Sequence, residues 1–459
     1  MADTPRLLLF SYHFPPGAAV GALRWEQFAR YAETLGWNVD VIAANPPSGA
    51  RRDESRLRDL PSSTRVYTLD AVRSWLTRLE RWAVNRKNQD NGAVRGTLSG
   101  ATDEQDSWVP SDEVRWGLHR LVGWRRAYNA WRHYKQDWEW ADQAEALGHD
   151  MAQRRTYSAV ISSGPPHLAH VAAARVATRA GIPLAVDFRD PWSQMPSVVV
   201  SVASPVWLRL GHRLEREALT AARLIVANTD LSADRLRDAY PEFRERILTV
   251  MNGTDEEPMP VVRPQTRFVV AYTGSIYIDR DPRMLFRAAA RLVRELALTP
   301  EQFCFEFMGQ AERIQGRTVE EVANAEGVGA FFHLSPSRPR SEALVLLSQA
   351  ALLVSLPQNA DLSIPSKVFE YMLFDAWHLI LAEPHTATAQ LLGDSEMAVV
   401  SPNDVDEIYR VLADRYGRFA RGERPGPLPG RERFSREAQA KKFFDALAGV
   451  IGPPPAVPK

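Results

Sequence analysis

The ten residues SIPSKVFEYM, 363 to 372, place a proline, a serine and a lysine where a helix is expected to begin, and one acid, Glu370, about a turn further in. Proline suits a first helical turn because its missing N–H would have had no partner there. The free N–H groups of that turn, the helix dipole and the cationic Lys367 beside Ser366 would make an anion site, most naturally for phosphate. Glu370 stands where it would accept hydrogen bonds from hydroxyls on the same ligand. Phosphate plus hydroxyls points to a nucleotide. The same residues also read as a capped amphipathic helix with Lys367 and Glu370 solvated, so the rest of the chain must decide.

Short apolar runs bounded by turn residues alternate with segments of helical period, the pattern of a parallel α/β sheet. RLLLFSY at 6 to 12 reads as a strand and HFPPGAAVG as a loop. Ala22 to Leu35 reads as a helix with Trp25, Phe28, Ala29, Ala32 and Leu35 on one face, closed by Gly36, and NVDVIAA as the next strand. AVISSG, PLAVDFRD, RLIVAN and ILTVMNG continue the series to residue 253. After the polar stretch TDEEPMPVVRPQT the pattern restarts with FVVAYTG, FCFEFMG, FFHLSP, ALLVSLP, HLILAEP and MAVVSP. The expected organisation is a first Rossmann-like domain over 1–262, a second over 263–432, and a terminal helix, Phe434 to Ile451, within 433–459 that returns to the first domain ahead of a disordered tail. Two such sheets with their strand ends face to face would enclose a donor and an acceptor in a cleft.

At 459 residues the chain is too long for one core. Its 56 basic and 56 acidic residues leave no net field to draw it towards nucleic acid. The single cysteine, Cys304, excludes an intramolecular disulfide and suits a reducing compartment. The apolar run near the N-terminus is too short for a signal sequence and no segment is long enough to span a bilayer, so the expectation is a cytoplasmic protein with at most peripheral membrane contact.

Residues 46–150 break the alternation. They hold eight of the thirteen tryptophans, Trp75, Trp82, Trp108, Trp116, Trp124, Trp131, Trp138 and Trp140, among many arginines. This reads as a helical insertion whose aromatic and basic side chains lie in a membrane interface, or whose tryptophans pack on the sheet. SVVVSVASPVW, 197 to 207, is a second segment open to membrane contact or to burial.

Taken in order, HFPPGAAVG, SSGPPH (162–167), VDFRDPW (186–192), VANT (226–229), VMNGTD (250–255), AYTGSIY (271–277) and IPSKVFEYM (364–372) resemble the retaining GT-B glycosyltransferases of the group-4 type. The resemblance covers most of the chain outside the insertion. It implies transfer of a sugar from a nucleotide diphosphate sugar, with no other cofactor; together with the Trp/Arg-rich insertion, the expectation is a lipid-linked or oligosaccharide acceptor of surface-polysaccharide assembly at the inner face of the plasma membrane. The second domain would hold the nucleotide and the first the acceptor. Ser366 and Lys367 would meet phosphate and Glu370 the ribose. The family's first motif acid falls where this chain has Leu362, so the contact to the donor sugar is missing or supplied by Asp361 next door.

Sugar transfer needs charge developing on the diphosphate to be stabilised, which cations and fixed N–H dipoles do without a metal. Arg280, with Arg283 as its rival, is a second cation or a solvated loop residue, and Gly274 before Ser275 would let backbone approach the diphosphate. Asp187, Arg189 and Asp190 lie at a strand's carboxyl end, where catalytic groups gather, although DFRD equally suits a structural Asp–Arg pair. His167 ranks below Asp190 as a catalytic candidate; His13, Gly17 and Gly21 would serve the acceptor or the diphosphate. In front-face attack the leaving phosphate takes the acceptor's proton, so no strong protein base is required. No metal is expected: DRD and DVD are short patterns, and Asp404 reads as a helix N-cap. A sugar-nucleotide epimerase of the same architecture and a silent sugar-nucleotide-binding protein are the alternatives.

Overall fold

In the computed structural model, residues 4–46, 52–70, 108–110, 123–195, 197–199, 203–255, 258–261, 266–276, 280–311, 313–356, 360–393, 395–426 and 428–451 are described. The chain divides into two units, one of residues 1–228, 233–250 and 440–459, the other of residues 229–232 and 251–439. The junction falls at residue 250, where the strand ILT ends, and not at 262; the terminal stretch from Ala440 belongs to the first unit.

The first unit is a seven-stranded sheet in the order β3-β2-β1-β5-β6-β8-β9. Its strands are β1 (Arg6–Ser11), β2 (Asn38–Ala44), β3 (Arg65–Leu69), β5 (Ala159–Gly164), β6 (Leu184–Phe188), β8 (Ala222–Ala227) and β9 (Ile247–Thr249). Every pairing is parallel. Strands β1, β5 and β6 are buried almost throughout because helices cover both faces, hence continuous apolar runs and not alternation. The helices are α1 (Leu23–Thr34), a single turn α2 (Ser55–Arg58), α3 (Gly123–Arg154), α4 (Leu168–Ala180), α5 (Pro205–Ala221) and α6 (Asp230–Ala239), the last shared by both units. Helix α1 buries Trp25, Phe28, Ala29 and Ala32 as its period requires, but it ends at Thr34 and leaves Leu35 exposed. Gly181 ends α4 in the left-handed region at φ 67°, and the Ile182 N–H returns to the Ala177 carbonyl, closing the helix with a Schellman turn.

The region 46–150 is not one helical insertion. Residues 65–69 add β3 to the sheet edge, invisible as a strand because its burial is partial and mixed. Helix α3 carries Trp140 into the core against α4, with Trp138 partly buried beside it, so these two tryptophans pack, whereas Trp131 stays exposed. Trp75, Trp82 and Trp116, and the side chains of Trp108 and Trp124, lie outside the described residues. In the 197–207 segment, Ser197–Val199 (β7) pairs antiparallel with Trp108–Pro110 (β4), and Pro205 opens α5.

The second unit is a six-stranded parallel sheet in the order β12-β11-β10-β13-β14-β15. Its strands are β10 (Phe268–Thr273), β11 (Phe303–Met308), β12 (Phe332–Ser335), β13 (Leu352–Ser355), β14 (Trp377–Leu381) and β15 (Ala398–Val400). Around it lie α7 (Arg283–Glu295), α8 (Val319–Ala325), α9 (Arg340–Gln349), α10 (Ser366–Tyr371), α11 (Ala387–Leu392) and α12 (Val405–Ala420); α13 (Arg436–Ile451) follows. In both sheets the strand order reverses once, between β1 and β5 and between β10 and β13. Such a reversal leaves a crevice beyond the strands' carboxyl ends, the usual ligand position of an open α/β sheet. Among the described residues no helix is long and apolar enough to cross a membrane.

Candidate functional site

In the second unit a cavity of about 200 Å³ opens at the β10/β13 reversal, lined by Tyr272, Arg280, Ser355, Pro365, Ser366 and Lys367. Pro365 is the N-cap of α10, in extended conformation, and Ser366 is the first helical residue, so the helix begins one position later than proline at N1 would require. Helix α10 has only six residues, which makes Lys367, more than the helix dipole, the source of positive potential. The Lys367 Nζ lies 4.5 Å from the centre of the Tyr272 ring and donates to the Tyr272 hydroxyl at 3.3 Å. Burial, then the neighbouring Arg280 guanidinium, push its pKa down to about 7, against the upward pull of Glu370. Arg280 donates to the Ser275 carbonyl at 3.1 Å and to the Tyr272 hydroxyl at 3.3 Å. Two half-buried cations held side by side suit a polyanion.

The glycines have local reasons. Gly274 has φ +124°, and a Cβ there would lie 1.7 Å from Lys367 Nζ, so it gives up its side-chain space to the ammonium. Gly309, at the end of β11 with φ +154°, would put a Cβ 2.0 Å from the Gly274 carbonyl oxygen. Sequence reasoning found Gly274 but missed Gly309, although both follow a strand directly. Ser275 is exposed, and its carbonyl is the part that holds Arg280. Arg283 is not the second cation: it pairs with Asp281 at 3.4 Å and donates to Gln315 at 3.1 Å. Glu370 is half-buried and ion-paired with Arg340, at the start of α9, a partner thirty residues away that no local motif announces. Leu362 is a buried core residue whose carbonyl accepts from the Thr229 hydroxyl at 2.7 Å, and Asp361 lies 3.6 Å from His385.

In the first unit a larger cavity, about 290 Å³, opens at the β1/β5 reversal, and His13, Asp137, Trp138, His167, Trp192 and Trp207 line it. Burial and the Arg189 guanidinium lower the His13 pKa to about 4 and that of His167 to about 3, so both rings are neutral at pH 7. His167 stacks on Trp192, ring centres 5.2 Å apart. Behind it, His170 is fully buried with Nδ1 2.9 Å from the Ser162 hydroxyl.

Asp187 requires a correction. It is wholly buried and accepts from Arg24 Nε at 3.0 Å, Arg24 Nη2 at 2.8 Å, Trp25 Nε1 at 2.7 Å and the Ser163 hydroxyl at 3.3 Å. A carboxylate has about four lone-pair sites, so these donors occupy it, and Asp187 anchors α1 to the sheet instead of facing a ligand. The structural Asp–Arg pair exists, but with Arg24 and not with Arg189. Arg189 is buried as well, and its guanidinium donates to the Gly21 and Pro165 carbonyls. Its Nε finds no acceptor among the described residues, which leaves one N–H of this tie for a ligand. Gly21 is glycine because a Cβ would lie 2.5 Å from Arg189 Nη1. Gly17 makes a tight turn onto Phe14, its N–H donating to that carbonyl at 3.0 Å, and its own carbonyl accepts from Arg56 at 3.1 Å. Both glycines therefore shape the loop itself. Asp190 is exposed beside this tie.

Among the described residues no three of His, Cys, Asp and Glu converge as a metal site would need. Asp404 caps α12, accepting from the Glu407 N–H at 2.9 Å; Asp406 pairs with Arg291, and Asp279 lies outside the described residues.

No known family's sequence profile matches the chain. It is 31% identical over 163 residues to D-inositol 3-phosphate glycosyltransferase 1 of Catenulispora acidiphila, a stretch covering 32% of this chain and 38% of that relative. The match thus spans less than two fifths of the curated relative. Among solved structures, Anabaena HepE in complex with UDP and glucose aligns over 97% of this chain and 100% of its own, with a TM-score of 0.55 at 13% identity. A Listeria monocytogenes chain assigned as a UDP-N-acetylglucosamine 2-epimerase aligns over 97% and 96%, with a TM-score of 0.53 at 10% identity. The fold is GT-B, two Rossmann-like domains each built on a parallel sheet.

Proposed function

We propose that the chain is a glycosyltransferase that takes a sugar from a nucleoside diphosphate sugar, with retention and without a metal, and adds it to a lipid-linked or oligosaccharide acceptor of surface-polysaccharide assembly at the cytoplasmic face of the plasma membrane. The observation that carries this reading is the pairing of Lys367 with Arg280 around Gly274 at the β10/β13 reversal. A half-buried ammonium whose pKa burial pushes down to about 7 gains from an anion beside it, and a diphosphate supplies one. As the bond from the anomeric carbon to the phosphate oxygen lengthens, charge collects on the diphosphate, where these two cations stabilise it. The departing phosphate oxygen takes the acceptor hydroxyl's proton on the same face of the sugar, so the new bond forms with the old configuration. The neutral His13 and His167, the free Nε of Arg189 and Asp190 orient that hydroxyl. The Catenulispora relative's name and the UDP and glucose held by HepE support the choice of donor class.

Thermal unfolding with UDP-, GDP-, TDP- and ADP-sugars tests the donor site. One nucleotide class at a hundred times its Kd stabilises the protein by about 2.7 kcal/mol. That shift disappears in Lys367→Ala and shrinks in Glu370→Ala. No shift with any of the four overturns the reading. Retention is checked by the anomeric configuration of the product, and metal independence by activity in EDTA.

The buried Leu362, in place of an acid that would hold the donor sugar, favours a second reading, an epimerase or a silent nucleotide-binding protein. Release of nucleoside diphosphate only when acceptor is present excludes both; conversion of the sugar nucleotide with no acceptor supports the epimerase.

A further inference from the structure

The cavity of the first unit contains one acid that nothing in the fold employs. Asp137 is half-buried on the inner side of α3, in a cavity that Trp138, Trp192, Trp207 and leucines line together with the polar Ser193, His13 and His167. Among the described residues no donor reaches its carboxylate, and burial alone pushes its pKa up to about 6. The nearby histidines are neutral, so they bring no compensating charge. A desolvated carboxylate without a donor is costly unless a ligand brings one.

The cavity's rim continues outward as exposed aromatic surface. Tyr134 is 37% and Met195 38% exposed at the rim; further along α3 Trp131 is 40% and Tyr128 52% exposed, and Val206 on α5 is 63% exposed. Tyr128, Trp131 and Tyr134 recur every three residues and so share one side of the helix. Lys135 lies over the Trp131 ring at 5.4 Å. Aromatic rings interleaved with a cation, leading into an apolar cavity, suit a ligand drawn from a bilayer interface. About 290 Å³ is the lower end of ligand-pocket sizes, room for the end of a chain and its head, not for a whole lipid.

We propose that this cavity binds an amphiphile, its apolar chain among Trp138, Trp192 and Trp207 and its hydroxyl donating to the Asp137 carboxylate. That this amphiphile is the acceptor rests on the function proposed above; that the cavity binds it does not. At neutral pH the carboxylate accepts from a hydroxyl head and repels an anionic one.

The test uses the full chain and two brominated probes below their micellar concentrations, 11-bromoundecanol and 11-bromoundecanoate, whose bromine quenches nearby tryptophan fluorescence. The alcohol quenches saturably, and the carboxylate binds about tenfold more weakly or worse. Asp137→Asn binds the two about equally. Gly211→Leu, whose Cβ would start 3.6 Å from Trp192 Nε1 and whose side chain fills the cavity, loses quenching by both. Nucleotide stabilisation persists in both variants and shows that they are folded. Quenching that does not saturate, or that survives Gly211→Leu, overturns the site. Discrimination that survives Asp137→Asn overturns the role of the carboxylate. Normal quenching in a wild type that no nucleotide stabilises leaves the amphiphile site standing and removes only its identification as the acceptor site.

Discussion

The two units reverse their strand order at equivalent places and open a cavity at each, yet they furnish these cavities with opposite chemistry. The second unit gathers Lys367 and Arg280, and the strand-end Gly274 clears room for the Lys367 ammonium. The first surrounds an unpaired carboxylate with tryptophan and keeps its histidines neutral. A parallel sheet therefore dictates where a ligand sits but not its charge, which is set by a few side chains on the helices and loops around the crevice. The same division separates two aspartates of the first unit. Asp187 is saturated by donors and holds the fold, whereas Asp137 is free of them and faces the cavity.

That contrast between the acids gives the largest expected effect. Asp187→Ala removes the carboxylate to which Arg24, Trp25 and Ser163 all donate and destabilises the protein by about 3–5 kcal/mol in urea unfolding, because breaking a buried pair by removing one partner is strongly destabilising. Asp137→Ala removes a carboxylate the fold does not use and changes stability little or raises it. Equal losses in the two variants would erase the distinction between them.

Much of this architecture is legible in the sequence. NVDVIAA and AVISSG occupy β2 and β5 residue for residue, because strands buried on both faces read as mostly apolar runs that stop at turn residues. The strand RVYTL at the sheet edge is half-exposed and carries no such run, so it was hidden in a region that otherwise reads as helical. Lys367 and Arg280 were legible because chemistry marks them: cations beside a strand-end glycine or a helix start. Their surroundings were not. The partner of Asp187 is 163 residues away and that of Glu370 thirty, and pairings at such distances are decided by the packing of whole elements, which leaves no local period. Asp137 was lost among the tryptophans of its own helix, since nothing in its neighbours reveals which face turns inward.

The charge contrast between the cavities is sharpened by pH. Lys367 binds a diphosphate only when protonated, and its pKa in the free protein is about 7. Affinity for UDP-glucose, whose diphosphate diester does not titrate near neutrality, is full below that value. It falls as pH rises through it, towards about tenfold per unit at most. The stability of the free protein runs the other way. A lysine with a depressed pKa disfavours the folded state while protonated, so this group's penalty lessens as pH rises from about 7 towards the ordinary lysine value. Lys367→Arg, charged throughout, flattens the binding profile in a calorimetric titration. A wild-type profile equally flat between pH 6 and 9 would mean that the ammonium does not meet the phosphates.

The smallest effect concerns Arg340. In the free protein its guanidinium pairs with Glu370, the carboxylate expected to accept from the ribose hydroxyls, so nucleotide and arginine compete for the same oxygens. The Arg340 side chain is 46% exposed, and ion pairs so open to water contribute roughly 0–1 kcal/mol. Arg340→Ala should therefore tighten nucleotide binding by no more than about fivefold and leave the melting temperature of the free protein nearly unchanged, both measurable in one thermal titration. Weaker binding would reverse the assignment: Arg340 would then belong to the donor site as a third cation, swinging from Glu370 to the phosphates as the nucleotide arrives.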